Sequence, residues 1–418
     1  MKPIKILLPL FLMFLIHCVN AQFTVDTELR PRFEYRHGFK TLFPDETDPA
    51  AFVSQRTRLN LGYANEKLNF YLSLQDVRVW GDVPQLNIAD NSGLSIHQAW
   101  GEILLNKDFS LKLGRQEILY DDHRIFGNVG WAQQARSHDA ALIKFSHEKF
   151  RFDLGVAFNQ DAENLTGTTL RNTRTYKSMQ YAWLHKDFKD LQASFLVLNN
   201  GMQFIDNTNS ENNETRYSQT LGGHLKYSFG KIDFMSNLYY QLGKDVANND
   251  INAYLLALEA NYESSPTLKF TLGTELLSGN NGGAPENGKN DAFTPFYGTN
   301  HKFNGLMDYF YVGNHNQNVG LWDVYFKTIL AVDQHSNVTM ALHNFSSPSE
   351  IAPNVSNQLG VEADFSYVYT MDKNISLSGG YSHLFAAEGM EYIKNNFDGN
   401  TNNWLWVMVT ITPILYNN

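Results

Sequence analysis

The sequence has very little cysteine and no long apolar run beyond its beginning. Its single cysteine, Cys18, lies in the first twenty residues, so the remainder of the chain contains no thiol. Disulfide bonds, thiolate metal sites and cysteine nucleophiles are therefore excluded from that remainder. No apolar run after residue 21 approaches the roughly 18 residues that a membrane helix needs, which excludes a helical membrane protein.

Charged residues and catalytic motifs are also scarce. Charged side chains make up 18% of the chain, with a formal net charge of −10. The sequence contains no P-loop, no G-x-S-x-G motif and no basic stretch interleaved with aromatics. A His-Ser-Asn segment at residues 335–337 falls in a predicted turn, and the adjacent Asp121, Asp122 and His123 would point alternately apart on an extended chain. We therefore expect no enzymatic activity, no metal or other cofactor and no nucleic-acid partner.

The first 21 residues predict a secretory signal peptide. Lys2 and Lys5 precede an apolar run over residues 6–16, and Val19-Asn20-Ala21 supplies a small-residue cleavage site. A lipoprotein signal ending at Cys18 is the alternative, which the histidine before that cysteine disfavours. We predict a signal peptide at residues 1–21 followed by one exported domain at 22–418.

Alternation of apolar and polar residues dominates the rest of the chain, and helical periodicity is almost absent. Apolar and polar side chains take turns through residues 23–35, 149–159 and 358–369. Such a strand places one face in an apolar medium and the other in water. A large soluble β-protein would give the same pattern, so alternation alone does not identify the medium.

Strand and connection lengths favour a membrane. We predict eighteen strands, near residues 22–37, 52–64, 67–80, 94–106, 109–119, 134–146, 149–160, 174–186, 189–201, 214–229, 231–243, 251–263, 266–278, 318–333, 336–346, 355–371, 374–387 and 401–416. Most reach the roughly 9 to 11 residues of a tilted transmembrane strand. Short turns alternate with longer connections, the longest of which is 279–318.

These features predict an all-β fold, a transmembrane antiparallel β-barrel of about 18 strands in the bacterial outer membrane, surrounded by outer-membrane lipid. Closure of the sheet is required because an open edge in hydrocarbon would leave backbone groups without hydrogen bonds. Aromatic residues near strand ends are predicted to form the interfacial belts: Trp80, Trp183, Trp322, Tyr325, Trp404, Trp406 and Tyr416.

Arginines are concentrated in the first third of the chain, and eighteen strands enclose an aqueous lumen that they could line. We predict nine pore-lining arginines: Arg30, Arg32, Arg36, Arg56, Arg58, Arg78, Arg115, Arg124 and Arg136. Parity turns the first five inward, and Arg136 as well if no bulge intervenes. For Arg78 and Arg115 simple alternation predicts the lipid side, so we expect either a rim position or a β-bulge.

Acidic residues beside these arginines leave two interpretations open. Glu28, Glu34, Asp122 and Asp139 are predicted to hold the guanidinium groups in place. In the first interpretation the arginines only pair with such acids and brace the wall. In the second they also attract anions, because forked donors suit carboxylates.

Several motifs carry a resemblance to a known family. "RPRFEYR", "QRTRLNLGY", "LQDVRVWGD", "HQAWGEI" and "LKLGRQEILYDDHRIFG...W...ARSHDA" resemble the alginate export family over roughly residues 22–160. The residues that match its pattern in the last of these segments are Gly114, Arg115, Gln116, Arg124, Gly127, Trp131, Arg136 and Asp139. The resemblance implies an eighteen-stranded outer-membrane barrel with an arginine-lined, electropositive conduit for a polyuronate. Asp122, His123 and the lysines of later strands depart from the pattern and leave the solute open.

Two functions from different classes follow. The first is passive passage of an anionic polysaccharide, alginate-like, or of another anionic solute, with periplasmic secretion machinery as a possible partner. The second is a plugged structural barrel, or one whose loops bind glycans or proteins; a general porin is a further alternative. The 279–318 loop could fold inward as a constriction or remain outside in solvent.

Overall fold

The computed structural model describes residues 21–86, 93–311, 314–315 and 318–418. The predicted signal peptide, apart from Ala21, lies outside these residues. The described part of the chain contains twenty β-segments and one short α-helix, α1 (Glu388–Lys394). No helix within it is long and apolar enough to cross a membrane.

The β-segments follow one another around a single antiparallel wall. They are β1 (Gln22–His37), β2 (Ala50–Ala64), β3 (Leu68–Val79), β4 (Ser95–Leu104), β5 (Phe109–Gln116), β6 (His138–His147), β7 (Phe150–Phe158), β8 (Ser178–Asp187), β9 (Leu191–Phe204), β10 (Glu214–Phe229), β11 (Ile232–Lys244), β12 (Asp250–Ser265), β13 (Leu268–Leu277), β14 (Lys289–Asn290), β15 (Leu321–Ala331), β16 (Ser336–Ser346), β17 (Gln358–Asp372), β18 (Ile375–Ala386), β19 (Asn402–Ile411) and β20 (Ile414–Asn417).

Eighteen of these form the wall, once two special segments are set aside. β14 has only two residues and adds to the edge of β12 in a loop. β19 and β20 are one strand interrupted at Thr412 and Pro413, and both pair with β1. Because β1 also pairs with β2, the sheet closes on itself. The predicted eighteen-stranded antiparallel barrel is confirmed.

The two faces of the wall differ as the alternation predicts. On β1, Phe23, Leu29 and Phe33 are 37–39% exposed, whereas Arg30 and Arg32 are 8% and 5% exposed. The apolar set therefore faces the membrane and the polar set faces the lumen. The short turns between β2 and β3, β4 and β5, and β6 and β7 mark the periplasmic rim, and the long connections mark the external rim.

Glycines on the inner face make room for aromatic rings that fill the lumen. Gly155 on β7 lies beside Tyr181 on β8, and a Cβ added to the glycine would overlap the tyrosine ring. The same relation holds between Gly273 and Tyr325. Each inward tyrosine ring therefore packs over a glycine of the neighbouring strand, and a larger residue in place of the glycine would clash with the ring.

The largest departure from the predicted strands lies between β5 and β6. Strands were predicted over 109–119 and 134–146, but β5 ends at Gln116 and β6 begins at His138. Gly114 has a φ of 117°, and a Cβ there would collide with the Ala99 carbonyl, so only glycine fits at this position of the wall. Residues 117–137 then leave the wall and fold into the lumen.

Candidate functional site

Residues 117–137, here called the constriction loop, cross the interior of the barrel. The Tyr120 hydroxyl donates to Asp153 Oδ2 on β7 at 2.8 Å. Asn237 on β11 donates to Asp122 Oδ2 at 2.7 Å. Contacts with strands this far apart require the loop to span the lumen.

Three predicted pore arginines hold the constriction loop against β1 and β2. Arg30 Nη1 donates to the Gly130 carbonyl at 2.9 Å, and Arg32 Nη1 donates to the Trp131 carbonyl at 2.7 Å. Arg56 Nη1 reaches the Gln133 carbonyl at 3.4 Å. These guanidinium groups face inward, as parity predicts, but they are engaged with loop backbone. Their first role in this geometry is to fix the loop.

Glu28 and Glu34 neutralise part of this arginine row. Glu28 Oε1 accepts from Arg56 Nη2 at 2.6 Å and lies 3.7 Å from Arg30 Nε. Glu34 is 1% exposed and accepts from Arg32 at 2.9 Å and from Arg36 at 2.8 Å. A buried carboxylate needs such donors because burial without them is costly.

A second segment, residues 291–311, also folds inward and is here called the strap. It pairs with the constriction loop through the Gly127 amide, which donates to the Tyr297 carbonyl at 2.8 Å. Lys302 Nζ donates to the Asp122 carbonyl at 2.8 Å. The Met307 amide donates to Glu362 Oε1 on β17 at 2.8 Å. The inward alternative for the 279–318 loop is therefore the one the structure adopts.

Arg124 joins the constriction loop, the strap and the wall. It is 2% exposed and donates through Nη2 to Glu275 on β13 and, at 3.2 Å, to Asn304 Oδ1 on the strap. Asn304 Nδ2 also donates to Glu275 Oε1 at 2.9 Å. Arg124 was predicted to line the pore; it lies on the constriction loop, and its guanidinium is buried between that loop, the strap and β13. We call Arg124, Glu275 and Asn304 the latch.

Charge is segregated along the wall. The inward arginines lie on β1 and β2, where Glu28 and Glu34 accompany them, whereas β13 to β17 carry four buried carboxylates: Glu275, Asp323, Glu362 and Asp364. A cavity of about 300 Å³ between the strap and this acidic stretch is lined by three of them, together with Lys302 and Lys327. A solute crossing the lumen would therefore meet a basic surface on one side and an acidic surface on another.

Two of the predicted arginines have no carboxylate partner among the described residues. Arg58 faces inward and donates to Gln75 Oε1 at 2.8 Å, and its Nη2 has no hydrogen-bond partner. Arg136 lies on the constriction loop and donates to the Gly298 carbonyl at 3.2 Å. Neither guanidinium makes an ion pair within the described chain, although Glu28 lies opposite Arg58 on β1.

Arg78 and Arg115 do not belong to the inward set. Arg78 is one residue from the external end of β3, shares the outward parity of Gln55 and pairs with Asp76 at 2.6 Å. Arg115 pairs with Asp139 at 2.8 Å, and both side chains are substantially exposed. Both arginines occupy the rim, the first of the two expected outcomes, and they would avoid the cost of a charge in mid-bilayer.

The tryptophans divide between the two faces. Trp80 and Trp322 are 60% and 49% exposed on the outer face, which suits an interfacial belt. Trp404 and Trp406 are 0% and 6% exposed, so placing them in a belt was wrong. Trp131 packs against both inward tryptophans with centroid distances of 5.6 and 4.8 Å.

The same correction applies to two further aromatics. Trp183 is 6% exposed and its Nε1 donates to Asp121 of the constriction loop at 3.2 Å. Tyr325 donates to Glu259 at 2.7 Å from the inner face of β15. Tyr416 is 50% exposed near the chain end, as a belt residue should be.

The chain just beyond the strap contains a half-buried histidine. His315 Nε2 lies 2.8 Å from the Gly320 carbonyl, and its ring packs edge-on against Phe310 at 5.4 Å. Burial lowers the pKa of His315 to about 4. Burial also lowers the pKa of Lys394 on α1 to about 8; this lysine donates to the Tyr309 and Asn314 carbonyls.

Glu275, Asn304 and Glu362 are site residues that sequence reasoning missed. Each is a single polar residue in an otherwise apolar or loop stretch, so no motif marks it. Glu275 does share the inward parity of Thr271 and Gly273 on β13, and an inward acid without a basic neighbour in sequence was the available signal. Within the described residues, no group of three His, Cys, Asp or Glu side chains is arranged to hold a metal ion.

Known proteins resemble this chain in sequence and in fold. The family model described as alginate export matches residues 21–392. The chain belongs to the alginate export family. Together with the closed barrel, membership of this family makes the protein an outer-membrane channel of bacterial type. No curated protein sequence matches the chain.

Solved structures share the fold at low sequence identity. OpdL of Pseudomonas aeruginosa is 13% identical, with a TM-score of 0.64 over 94% of this chain and 99% of that one. OccAB4 of Acinetobacter baumannii is 12% identical, with a TM-score of 0.64 over 94% and 98%. OpdK of P. aeruginosa, solved with vanillate, is 10% identical, with a TM-score of 0.61 over 94% and 99%. Likeness at this identity establishes the shared barrel.

Proposed function

We propose that this member of the alginate export family passes anionic solutes, including an alginate-like polyuronate, along the arginine-bearing side of its lumen. The observation that carries the proposal is Arg58, an inward guanidinium on β2 with no carboxylate partner among the described residues. Arg30, Arg32 and Arg56 add positive charge around it while they fix the constriction loop. Vanillate, the molecule named with OpdK, is itself a carboxylate.

The local charge along the lumen matters more to a permeating ion than the net charge of the chain. The whole chain is acidic, yet a permeating ion responds to the groups within about one Debye length, roughly 8 Å at physiological ionic strength. Glu275 is bound in the latch and Glu362 accepts from the strap, so these two carboxylates contribute less to the open path. Periplasmic secretion machinery remains a predicted partner.

The test is the zero-current potential of the purified full chain in a planar bilayer under a tenfold KCl gradient. We expect anion preference in the wild type and a roughly threefold lower anion-to-cation permeability ratio in Arg58→Gln. A unit charge about 6 Å from an ion path in water is worth about 0.7 kcal/mol, which gives that factor. Arg78→Gln, which removes the same charge from the outer face, is the matched control and should leave the ratio unchanged. Equal ratios in the wild type and Arg58→Gln would refute the role of Arg58.

A second candidate function is a barrel closed by its own loops, whose external surface binds a glycan or protein. It is favoured by the latch and by the contacts of the strap with both the constriction loop and β17. Conductance separates the two candidates. A barrel that passes no current, even after residues 291–311 are replaced by a short Gly-Ser linker, is a closed one.

A further inference from the structure

A cavity opens at the external side of the barrel where the wall is lowest. β5, β6 and β7 contain 8, 10 and 9 residues, whereas β10 and β12 contain 16 each. The connection from β7 to β8, residues 159–177, overhangs this low wall, and the beginning of the strap forms the inner side. The cavity is partly open to solvent, and its volume of about 810 Å³ is within the range of roughly 300 to 1,000 Å³ for small-molecule sites.

Positive charge in this cavity is incompletely compensated. Three guanidinium groups line it, from Arg115, Arg136 and Arg174. The first is paired with Asp139 at 2.8 Å, whereas neither of the other two makes an ion pair within the described chain. The remaining carboxylate of the lining, Asp161, is turned to its own loop, where it accepts the backbone amides of residues 171 and 172.

Arg136 is held in one orientation. Its Nη1 donates to the Gly298 carbonyl at 3.2 Å, and its backbone amide donates to the Asn128 carbonyl at 2.6 Å. The guanidinium lies 6.0 Å from the ring centroid of Tyr297. Its Nε and Nη2 have no hydrogen-bond partner among the described residues. A guanidinium anchored at one corner keeps parallel donors for a carboxylate and loses little entropy when it binds one.

Aromatic rings form the floor beside this guanidinium. Tyr297 packs against Tyr176 at a centroid distance of 5.4 Å and against Phe296 at 5.9 Å. The Tyr297 hydroxyl donates to Asn200, and the Tyr176 hydroxyl lies 3.1 Å from His138 Nδ1. Tyr297 is packed within this aromatic cluster, and it and Phe296 contribute apolar ring surface to the cavity lining, against which a six-membered ring can pack.

From this arrangement we propose that the cavity is an external binding site for a carboxylate borne on a six-membered ring. Arg136 and Arg174 bind the carboxylate, and the ring lies against Tyr297. A uronic acid and an aromatic acid share this chemistry. The inference rests on the proposed function for its ligand class, since a ring carboxylate belongs to the anions expected to permeate, but the site lies on the loops, away from the arginines of β1 and β2.

Titration calorimetry on the detergent-solubilised full chain tests the site, with sodium glucuronate, sodium benzoate and uncharged methyl glucoside as probes. We expect at least one of the two carboxylates to bind with one-to-one stoichiometry and methyl glucoside to bind at least tenfold more weakly. Arg136→Gln should weaken carboxylate binding at least tenfold, and Arg174→Gln should weaken it severalfold. Arg171→Gln removes the same charge from the same loop outside the cavity lining and should change nothing.

The site would be overturned if neither carboxylate binds, if methyl glucoside binds equally well, or if both Arg136→Gln and Arg174→Gln bind like the wild type. Arg174 is exposed and Arg136 is half-buried, so the Arg174 variant should fold even if the Arg136 variant does not. Heat-modifiable migration on gels reports the folding of each variant. Conductance distinguishes failure of the binding site from failure of the channel function. Anion-selective current without ring-carboxylate binding refutes the site alone, and binding without current refutes the channel alone.

Discussion

The latch should determine how firmly the strap is held across the lumen. In Arg124→Met, Glu275 would remain buried at 4% exposure without a cation, close to the buried Asp323. Removing one partner of a buried ion pair costs about 3–5 kcal/mol. Departure of the strap would relieve that cost by admitting water to the carboxylates. At about 1.4 kcal/mol per factor of ten, the ratio of open to closed strap should rise roughly a hundredfold to a few thousandfold.

Single-channel recording in planar bilayers measures this change directly. The Arg124→Met variant should show higher open probability and larger mean conductance than the wild type, and external protease should cleave the strap faster. The double variant Arg124→Met/Glu275→Leu removes both buried charges and should return most of the way to wild-type behaviour. Wild-type conductance and protease resistance in a correctly folded Arg124→Met barrel would refute the latch.

Two further changes probe the strap and the wall. The His315 ring should stay neutral in the folded chain. The free energy of unfolding linked to this neutral ring, about 3 kcal/mol, is fully present above pH 6.5 and is lost as the pH falls through 4. Hydrogen exchange of residues 305–311 should therefore accelerate over that window, and less so in His315→Gln. An accelerated exchange that is identical in both proteins would contradict this. Gly155→Val should force the Tyr181 ring from its place and lower the urea concentration at the unfolding midpoint. Ala157→Val on the same strand is the comparison. An unchanged midpoint in Gly155→Val would show that the Tyr181 ring does not need the bare backbone at Gly155.

Much of the wall could be predicted from the sequence because parity has physical consequences there. A strand such as β1 puts arginines and glutamates in every second position, and only one face can meet hydrocarbon. Strand count and rim assignment followed from the alternation of short turns with long connections. The inward orientation of Arg30, Arg32 and Arg56 followed from parity as well.

Parity gave no such guidance where both faces are apolar. In the segment from Trp404 to Val407 every residue is apolar, so nothing local separates a belt tryptophan from one that fills the lumen. The inward position of Trp404 depends on Trp131, more than 270 positions away in the sequence. Likewise, nothing local marks the end of β5 at Gln116, after which residues 117–137 turn into the lumen.

The contents of the lumen could not be predicted for a similar reason. Arg30 and Arg32 were expected to face a permeating solute, but they bind carbonyls at Gly130 and Trp131. A loop that folds inward presents unpaired backbone oxygens, and inward guanidinium groups are the donors nearest to them. The partner of Arg124 lies on β13 and not among the adjacent aspartates, because the loop carries it across the barrel.

The most direct test of the central claim is the block of ionic current by a charged polymer. With the purified chain in a planar bilayer, an oligouronate of defined length is added to one side of the membrane. In a separate control recording, an uncharged dextran oligomer of the same length is added instead. We expect transient current blocks by the oligouronate. Their frequency should rise when the voltage drives anions into the pore and should fall in Arg58→Gln. Equal block by dextran, or no block by the oligouronate at either polarity, would contradict it.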